Sequence, residues 1–292
     1  MVASAHDCPQ RLYKYFAEDR VDVLERELIR YSPLGAFNDP FEGRPEIKDL
    51  STHAEAAQLL DEILPKSIAD NYGLLPAEAK AVLPFEQFKA NLLKVFQSRQ
   101  NAYIRHLQSF TPLVKSFLSQ KFDQHIGALC LSEVPDSLLM WSHYASSHSG
   151  FVVAFNAHHK YFHEQRSTED EFRHLRRVLY RETRPSAPLS SLDATEMFFV
   201  KSGHWTYERE WRILRALAEA EQTLPSSPYP ISLFSFPMHA VTSVILGARI
   251  SPKTEKRLRA ALRSIRGSHA VTLMRATPDE THFLLRISEE AI

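Results

Sequence analysis

The chain has 292 residues, enough for one large domain or two small ones. Its 35 Lys plus Arg balance its 35 Asp plus Glu, so no net field favours nucleic acid or an acidic membrane. The composition is that of an ordinary globular protein, and the 14 histidines are scattered without metal-ligand spacing, so no metal site is read from the chain.

Cys8 and Cys130 are the only cysteines and lie far apart, which argues against a disulfide scaffold and fits a reducing cytoplasm. The opening residues lack a basic stretch followed by an apolar run. No segment approaches the roughly 20 apolar residues of a membrane span. The expectation is a soluble, cytoplasmic protein with no membrane partner. The 8 glycines form neither GxGxxG nor GxxxxGK, which argues against Rossmann and P-loop enzymes.

In chain order, Arg11–Phe16 reads as an aromatic-rich strand. Asp22–Arg30 reads as a helix whose apolar stripe is Val23, Leu24, Leu28 and Ile29. A loop follows at Phe37-Asn38-Asp39-Pro40-Phe41-Glu42. Residues from about 51 to 122 read as a mostly helical insertion, interrupted near Pro65, Gly73, Pro76 and Pro84. Ile126–Ser132 is a buried-type strand, Ser137–Ala145 a helical turn, and Gly150–Phe155 a second apolar strand. Residues 156–185 read as a basic amphipathic helix with Arg173, Arg176, Arg177 and Arg181 clustered; such clusters are usually solvated faces, with phosphate binding as the alternative. Pro225–Pro230 is a loop, Val241–Gly247 a strand, Lys253–Ile265 a helix, and 270–287 two last strands. Strands mixed with segregated helices predict a single α+β domain over 1–292 with a mixed or antiparallel sheet.

The most informative stretch is His204-Trp205-Thr206-Tyr207-Glu208-Arg209-Glu210-Trp211-Arg212-Ile213-Leu214. Strand parity places Glu208 and Glu210 on one face and Trp211 and Ile213 on the other. Two acids on one face repel, so a site that uses a carboxylate pair is one explanation. A solvated edge strand is the other. Trp141 and Tyr144, three apart on a helix, default to core packing. Asn38-Asp39-Pro40 is equally a turn cap or a site element. Ser142 and His143 point about 100 degrees apart on a helix, so a Ser-His hydrolase is a poor reading.

The blocks LYKY (12–15), FNDPFE (37–42), LLMWSHYA (138–145) and YE-x-EWR (207–212), with Lys201 ahead of the last, resemble a large bacterial family known only as a domain of unknown function. That resemblance runs from residue 12 to about 247 and brings no chemistry with it. The order of the blocks is also similar to ADP-ribosyltransferases of the poly-ADP-ribose polymerase type. There Leu12-Tyr13-Lys14-Tyr15 occupies the first block, with Lys14 where that family has His. Gly127–Glu133 occupies the second, without an aromatic at Leu129. Ser137, Ser142 and Tyr144 follow, then Gly150-Phe151-Val152-Val153.

This second resemblance implies a split sheet, NAD as substrate, and cleavage of the nicotinamide–ribose bond. It implies Glu210 and Glu208 as catalytic acids, and Tyr144 as the ring stacked on nicotinamide. Lys14, Tyr15, Asn38, Asp39, Ser142, Lys201 and Arg212 would bind the dinucleotide, with Lys14 and Arg212 on its pyrophosphate. The acceptor would be a protein or nucleic acid, as in a bacterial toxin or phage-defence effector. Two other readings stay open. One is a magnesium-dependent nuclease using Asp39, Glu42, Glu208 and Glu210. The other is a non-enzymatic module that binds a ligand or a basic protein.

Overall fold

The computed structural model describes residues 8–265 and 270–291. The chain divides into two compact units. The first comprises residues up to 44, 120–184 and 195–292, and the second 45–119 with 185–194. Among the described residues the protein is α+β, with eight helices and a mainly antiparallel, mixed sheet.

The first unit is built on that sheet. Its strands are β1 (Arg11–Phe16), β2 (Leu28–Pro33), β4 (Ile126–Ser132), β5 (Phe151–Asn156), β6 (Arg176–Arg177), β10 (Glu210–Ala216), β11 (Gln222–Leu224), β12 (Ile231–Ser235), β13 (Val241–Leu246), β14 (Thr272–Pro278) and β15 (Leu285–Glu290). The order is β11-β12-β2-β4-β1-β5-β13-β14-β15, and β10 branches from β4 and carries β6. Only β13 and β14 run parallel among these pairs. Successive residues of β5 face opposite ways: Phe151, Val153 and Phe155 enter the largest apolar cluster, and Val152 packs behind with Tyr15, Trp141 and Ile245.

β4 forks the sheet. On one edge it pairs with β10 along its length, from Glu210↔Ser132 to Ala216↔Ile126. Its other edge is shared: Ser32 and Pro33 of β2 pair with Ala128 and Gly127, and Tyr13 of β1 pairs with Ser132. β1 and β2 therefore diverge beside Leu129, Cys130 and Leu131. The wedge is bridged by a side chain, since Lys14 Nζ donates to the Cys130 carbonyl at 2.9 Å.

The helix read over Asp22–Arg30 is shorter. α1 covers Asp22–Arg26, and Glu27 adopts the left-handed conformation (φ 53°) that ends it. Residues Leu28–Pro33 alternate inward and outward, burying Ile29 and Tyr31, so the two-residue period wins over the helical one. The helix read over 156–185 is absent. A 3-10 turn (Lys160–Phe162), the two-residue β6 and β7 (Leu179–Arg181) take its place, because Arg176 and Arg177 pair with the edge of β10. The arginine cluster is neutralised locally: Arg173 bonds Glu219 at 2.5 Å, Arg176 bonds Glu171, and Arg181 bonds Glu196 at 2.6 Å.

The helical stretch expected at about 51–122 supplies most of the second unit: α2 (His53–Gly73), α3 (Ala77–Val82), α4 (Phe85–Gln108) and the start of α5 (Thr111–His125). β3 (Glu46–Ile47) pairs in parallel with β8 (Ser186–Ala187) in the same unit. Pro65 lies inside α2 rather than breaking it. The helix start is fixed by a capping box, in which Thr52 accepts from Glu55 N while Glu55 accepts from Thr52 N.

Three short elements of the first unit complete the frame of the site. α6 (Leu138–Tyr144) is capped by Ser137 and anchored by Trp141, which meets Tyr15 edge-on at 5.5 Å and donates to the Pro135 carbonyl at 2.8 Å. α7 (Ala194–Phe199) leads into β9 (Val200–Ser202), which pairs in parallel with β7. Among the described residues no helix is long and apolar enough to cross a membrane.

Candidate active site

A cavity of about 360 Å³ opens at the fork. It lies toward the low end of the roughly 300–1,000 Å³ typical of small-molecule sites. Of the residues singled out in the sequence, Lys14, Tyr15, Asn38, Asp39, Tyr144, Lys201, Glu208 and Glu210 line it. Ser142 does not; it sits on the exposed side of α6. Arg212 does not either. It is fully buried behind Glu210, and its guanidinium is committed to Glu42, Glu210 and the Phe198 carbonyl, so it cannot reach a pyrophosphate.

The acid pair reaches the cavity by a different route from simple strand parity. Glu208 ends a 3-10 turn (Gly203–Glu208), Arg209 turns the chain in the left-handed region (φ 43°), and only Glu210 lies on β10. Ser132 Oγ holds the turn by donating to the Glu208 carbonyl at 2.6 Å. Nor is this a solvated edge. β10 is paired on both sides, and Glu208 and Glu210 are 4% and 3% exposed.

The repulsion that two such acids should suffer is answered by cations. Lys201 Nζ donates to Glu208 Oε2 at 2.6 Å and to Glu210 Oε2 at 3.1 Å. Arg212 Nε donates to Glu210 Oε1 at 2.9 Å, and its Nη2 lies 2.8 Å from the same oxygen as an ion pair. Arg212 Nη1 donates to Glu42 Oε1 at 2.8 Å, and the other Glu42 oxygen stands 3.6 Å from Lys201. Tyr144 donates its hydroxyl hydrogen to Glu208 Oε1 at 2.6 Å. Rings cover both cations, with Trp205 4.9 Å from the Lys201 ammonium and Phe37 5.3 Å from the Arg212 guanidinium.

Burial pushes both carboxyls up, but the neighbours split them. At Glu210 the charges of Arg212 and Lys201 outweigh burial and hold the pKa at about 2. At Glu208 burial prevails, with Glu210 adding to it against Lys201, and the pKa is raised. Burial disfavours the charged Lys201, yet Glu210, Glu42 and Glu208 outweigh it and raise its pKa. Burial also raises the Tyr144 hydroxyl, with Glu208 adding to it, so that hydroxyl stays a donor. Two adjacent carboxyls driven apart in this way are suited to different tasks, one as a fixed anion and one as a proton acceptor.

The remaining lining residues are a mixed set. Asp39 is buried and its Oδ1 accepts from Phe41 N at 2.9 Å, so it acts at least as a turn cap. Asn38 is exposed at the rim. The acids proposed for magnesium do not form a ligand set. Glu42, Glu208 and Glu210 converge on the Lys201 ammonium, and among the described residues no group of three or more His, Cys, Asp and Glu could hold a metal.

Some contributors were passed over in the sequence or weighed there only for another role. Tyr180 accepts the Glu210 N–H at 2.8 Å, from a segment that reads as helix. His143 lines the mouth and its Nδ1 lies 3.2 Å from the Tyr207 hydroxyl. Glu42 was named only as a metal ligand. The signal for it was its place at the end of the FNDPFE block.

Fold and site together define an α+β protein with a small-molecule-sized cleft at a sheet fork, floored by a buried network of carboxylates and cations. Residues 140–213 match the model of a family described as Protein of unknown function (DUF2971). The match takes in WSHYA and YE-x-EWR, while LYKY and FNDPFE lie outside it. No curated protein and no solved structure matches the chain.

Proposed function

We propose that the cleft binds NAD and cleaves its nicotinamide–ribose bond, in the manner of an ADP-ribosyltransferase. One observation carries this reading. Two carboxylates with opposed pKa shifts meet at one ammonium, one of them bonded by a tyrosine hydroxyl, in a cavity at a sheet fork. As the C1′–N bond breaks, nicotinamide leaves neutral with the bonding pair and positive charge develops on the ribose. Glu210, ionised at any physiological pH, stabilises that charge. Glu208 accepts the proton of the incoming acceptor hydroxyl as its oxygen bonds to C1′. Tyr144 bonds Glu208 through its hydroxyl and offers its ring to the nicotinamide. Lys201 fixes both acids and is not a donor to substrate.

The assay is nicotinamide release from NAD by purified protein, with cell extract as acceptor source. Glu210→Gln should lose about two orders of magnitude, the usual worth of one preorganised electrostatic contact. Glu208→Gln should impair transfer to the acceptor more than hydrolysis. No release by the wild type, or equal release by Glu210→Gln, overturns the reading.

A further inference from the structure

The second unit holds much helix and little core. α2 buries only Ala56 and Ile68, α4 only Ile104, and α3 no side chain. α2 and α4 form an antiparallel hairpin. His53 Nε2, at the start of α2, lies 2.9 Å from Asn101 Oδ1 late in α4, and the Tyr72 ring at the other end meets Phe85 and Phe88 at 5.2 and 5.3 Å. The hairpin covers one face of each helix and leaves apolar side chains outside it. Leu59 and Ile63 of α2 are 53% exposed, and Val95, Tyr103 and Leu107 of α4 are 48%, 41% and 40% exposed.

The apolar stripe continues past α4. Ser109 N donates to the Arg105 carbonyl and Val114 N to the Phe110 carbonyl, each at 3.0 Å, so helical bonds cross the junction with α5. Tyr103, Leu107, Phe110 and Leu113 follow at steps of four, three and three, and all four are exposed. That rhythm belongs to a seam between helices, not to a solvated face. The charges beside it are unpaired as well. α2 carries Asp61, Glu62 and Asp70 against Lys66, and α4 carries Lys89, Lys94, Arg99 and Arg105 against Glu86. Among the described residues none of these is in an ion pair.

We propose that the second unit is a dimerisation module, whose α2–α4 hairpin packs on that of a second copy of the chain to form a four-helix bundle. α2 of each copy lies along α4 of its partner. Two hairpins with apolar outer stripes bury what neither can bury alone. The charge pattern selects a second copy as the occupant. An isologous interface needs a surface that is its own complement, and here an acidic and a basic helix of similar length, 21 and 24 residues, stand side by side. A half-turn about the dimer axis sets each acidic helix against a basic one. The apolar seam supplies the affinity, and the charges fix which helix meets which. The dimer stands apart from the NAD chemistry of the first unit.

Sedimentation equilibrium of the full chain over a range of concentrations reads the dimer directly. Wild type should be dimeric at low micromolar concentration. Leu107→Glu places a charge in the seam of both copies at once, so the dimer should weaken at least about a hundredfold. Phe283→Glu, at a fully exposed side chain of the first unit, should leave it unchanged. Two charge reversals test the pairing with the stripe intact, and so decide the matter if Leu107→Glu unfolds. Asp61→Lys with Glu62→Lys turns α2 basic, and Lys94→Glu with Arg99→Glu turns α4 acidic. Each reversed protein alone should be largely monomeric, since like charges then face each other. An equal mixture of the two should form a heterodimer, because every α2 again meets an α4 of opposite sign. A monomeric wild type, as when the stripe serves a different protein, overturns the dimer. So does a dimer unmoved by Leu107→Glu, or a pair of reversed proteins that stay monomeric when mixed.

Discussion

Glu42 and Arg212 are 170 residues apart in the chain and 2.8 Å apart in the buried network behind the cleft. The guanidinium is wholly buried, so its charge is tolerable only while both of its acids remain. Glu42→Gln keeps an acceptor but removes the charge. It should cost about 3 kcal/mol, near the lower end of the range for breaking a buried ion pair. Urea denaturation measures this, and a loss under about 1 kcal/mol would show that water or another group compensates Arg212.

Glu210 gives the fold a predictable acid dependence. Its folded pKa is about 2 against an ordinary 4.5, because Arg212 and Lys201 overcome burial. The unfolded chain therefore takes up the proton first. The stabilisation is complete above pH 4.5 and is lost as the pH falls toward 2. Glu208 runs the other way. Burial raises its pKa, so its contribution is present at low pH and is lost as the pH rises through the folded value. Repulsion between two acids, taken alone, would leave Glu210→Gln melting no lower than wild type. The ion pairs reverse that sign. Glu210→Gln should melt lower at pH 7, the gap should close between pH 4.5 and 2, and Glu208→Gln should cost less. A gap that stays constant with pH would contradict the assignment.

The strands that frame the cleft were legible because each is a compact apolar run with its own period. β1, β4, β5 and β13 lie where the sequence sets them, within a residue or so. The helix assigned to 156–185 failed because short basic segments take their conformation from the strand they pair with, here β10. The convergence of Lys14, Tyr144, Lys201, Glu208 and Glu210 followed from block chemistry, but the role of Lys201 and Arg212 as counter-charges to the acids did not. Nothing local tells that Arg212 faces Glu42, or that Tyr180 meets Glu210 N.

The thiols provide a test away from the acids. Cys8 and Cys130 are both free and partly buried. Burial raises the Cys8 thiol to about 11, with Glu133 adding to it, and burial raises Cys130 further, with Glu210 adding to it. Thiolate is the reactive form, so both should react slowly with a disulfide reagent at pH 8 in the native state and fast in denaturant. Two rapid equivalents from the native protein would mean that the β4 face is open to solvent.

The turn after α6 sets where Tyr144 points, and it is tightly determined. Ser146, Ser147 and His148 all have positive φ, at 46°, 51° and 74°. The left-handed region costs an ordinary residue about 1–2 kcal/mol. The turn is held by Gly150 N donating to the Ala145 carbonyl at 2.9 Å and by Arg249 N donating to the His148 carbonyl at 2.9 Å. Gly247 packs against it so closely that a Cβ would lie 2.2 Å from the His148 carbonyl oxygen and 2.6 Å from that of Gly150. Those atoms are backbone and cannot swing aside. Gly247→Ala should therefore cost at least about 2 kcal/mol, within the usual range for overpacking, and should displace Tyr144 from Glu208. Ser147→Gly relieves strain in the folded turn while loosening the unfolded chain, so it should be neutral or slightly stabilising. Thermal melts of the two variants, with tyrosine absorbance followed through an alkaline titration, check both claims. If Gly247→Ala melts with wild type, the turn yields more easily than its contacts imply, and Tyr144 is held instead by the anchoring of Trp141 and by its own bond to Glu208.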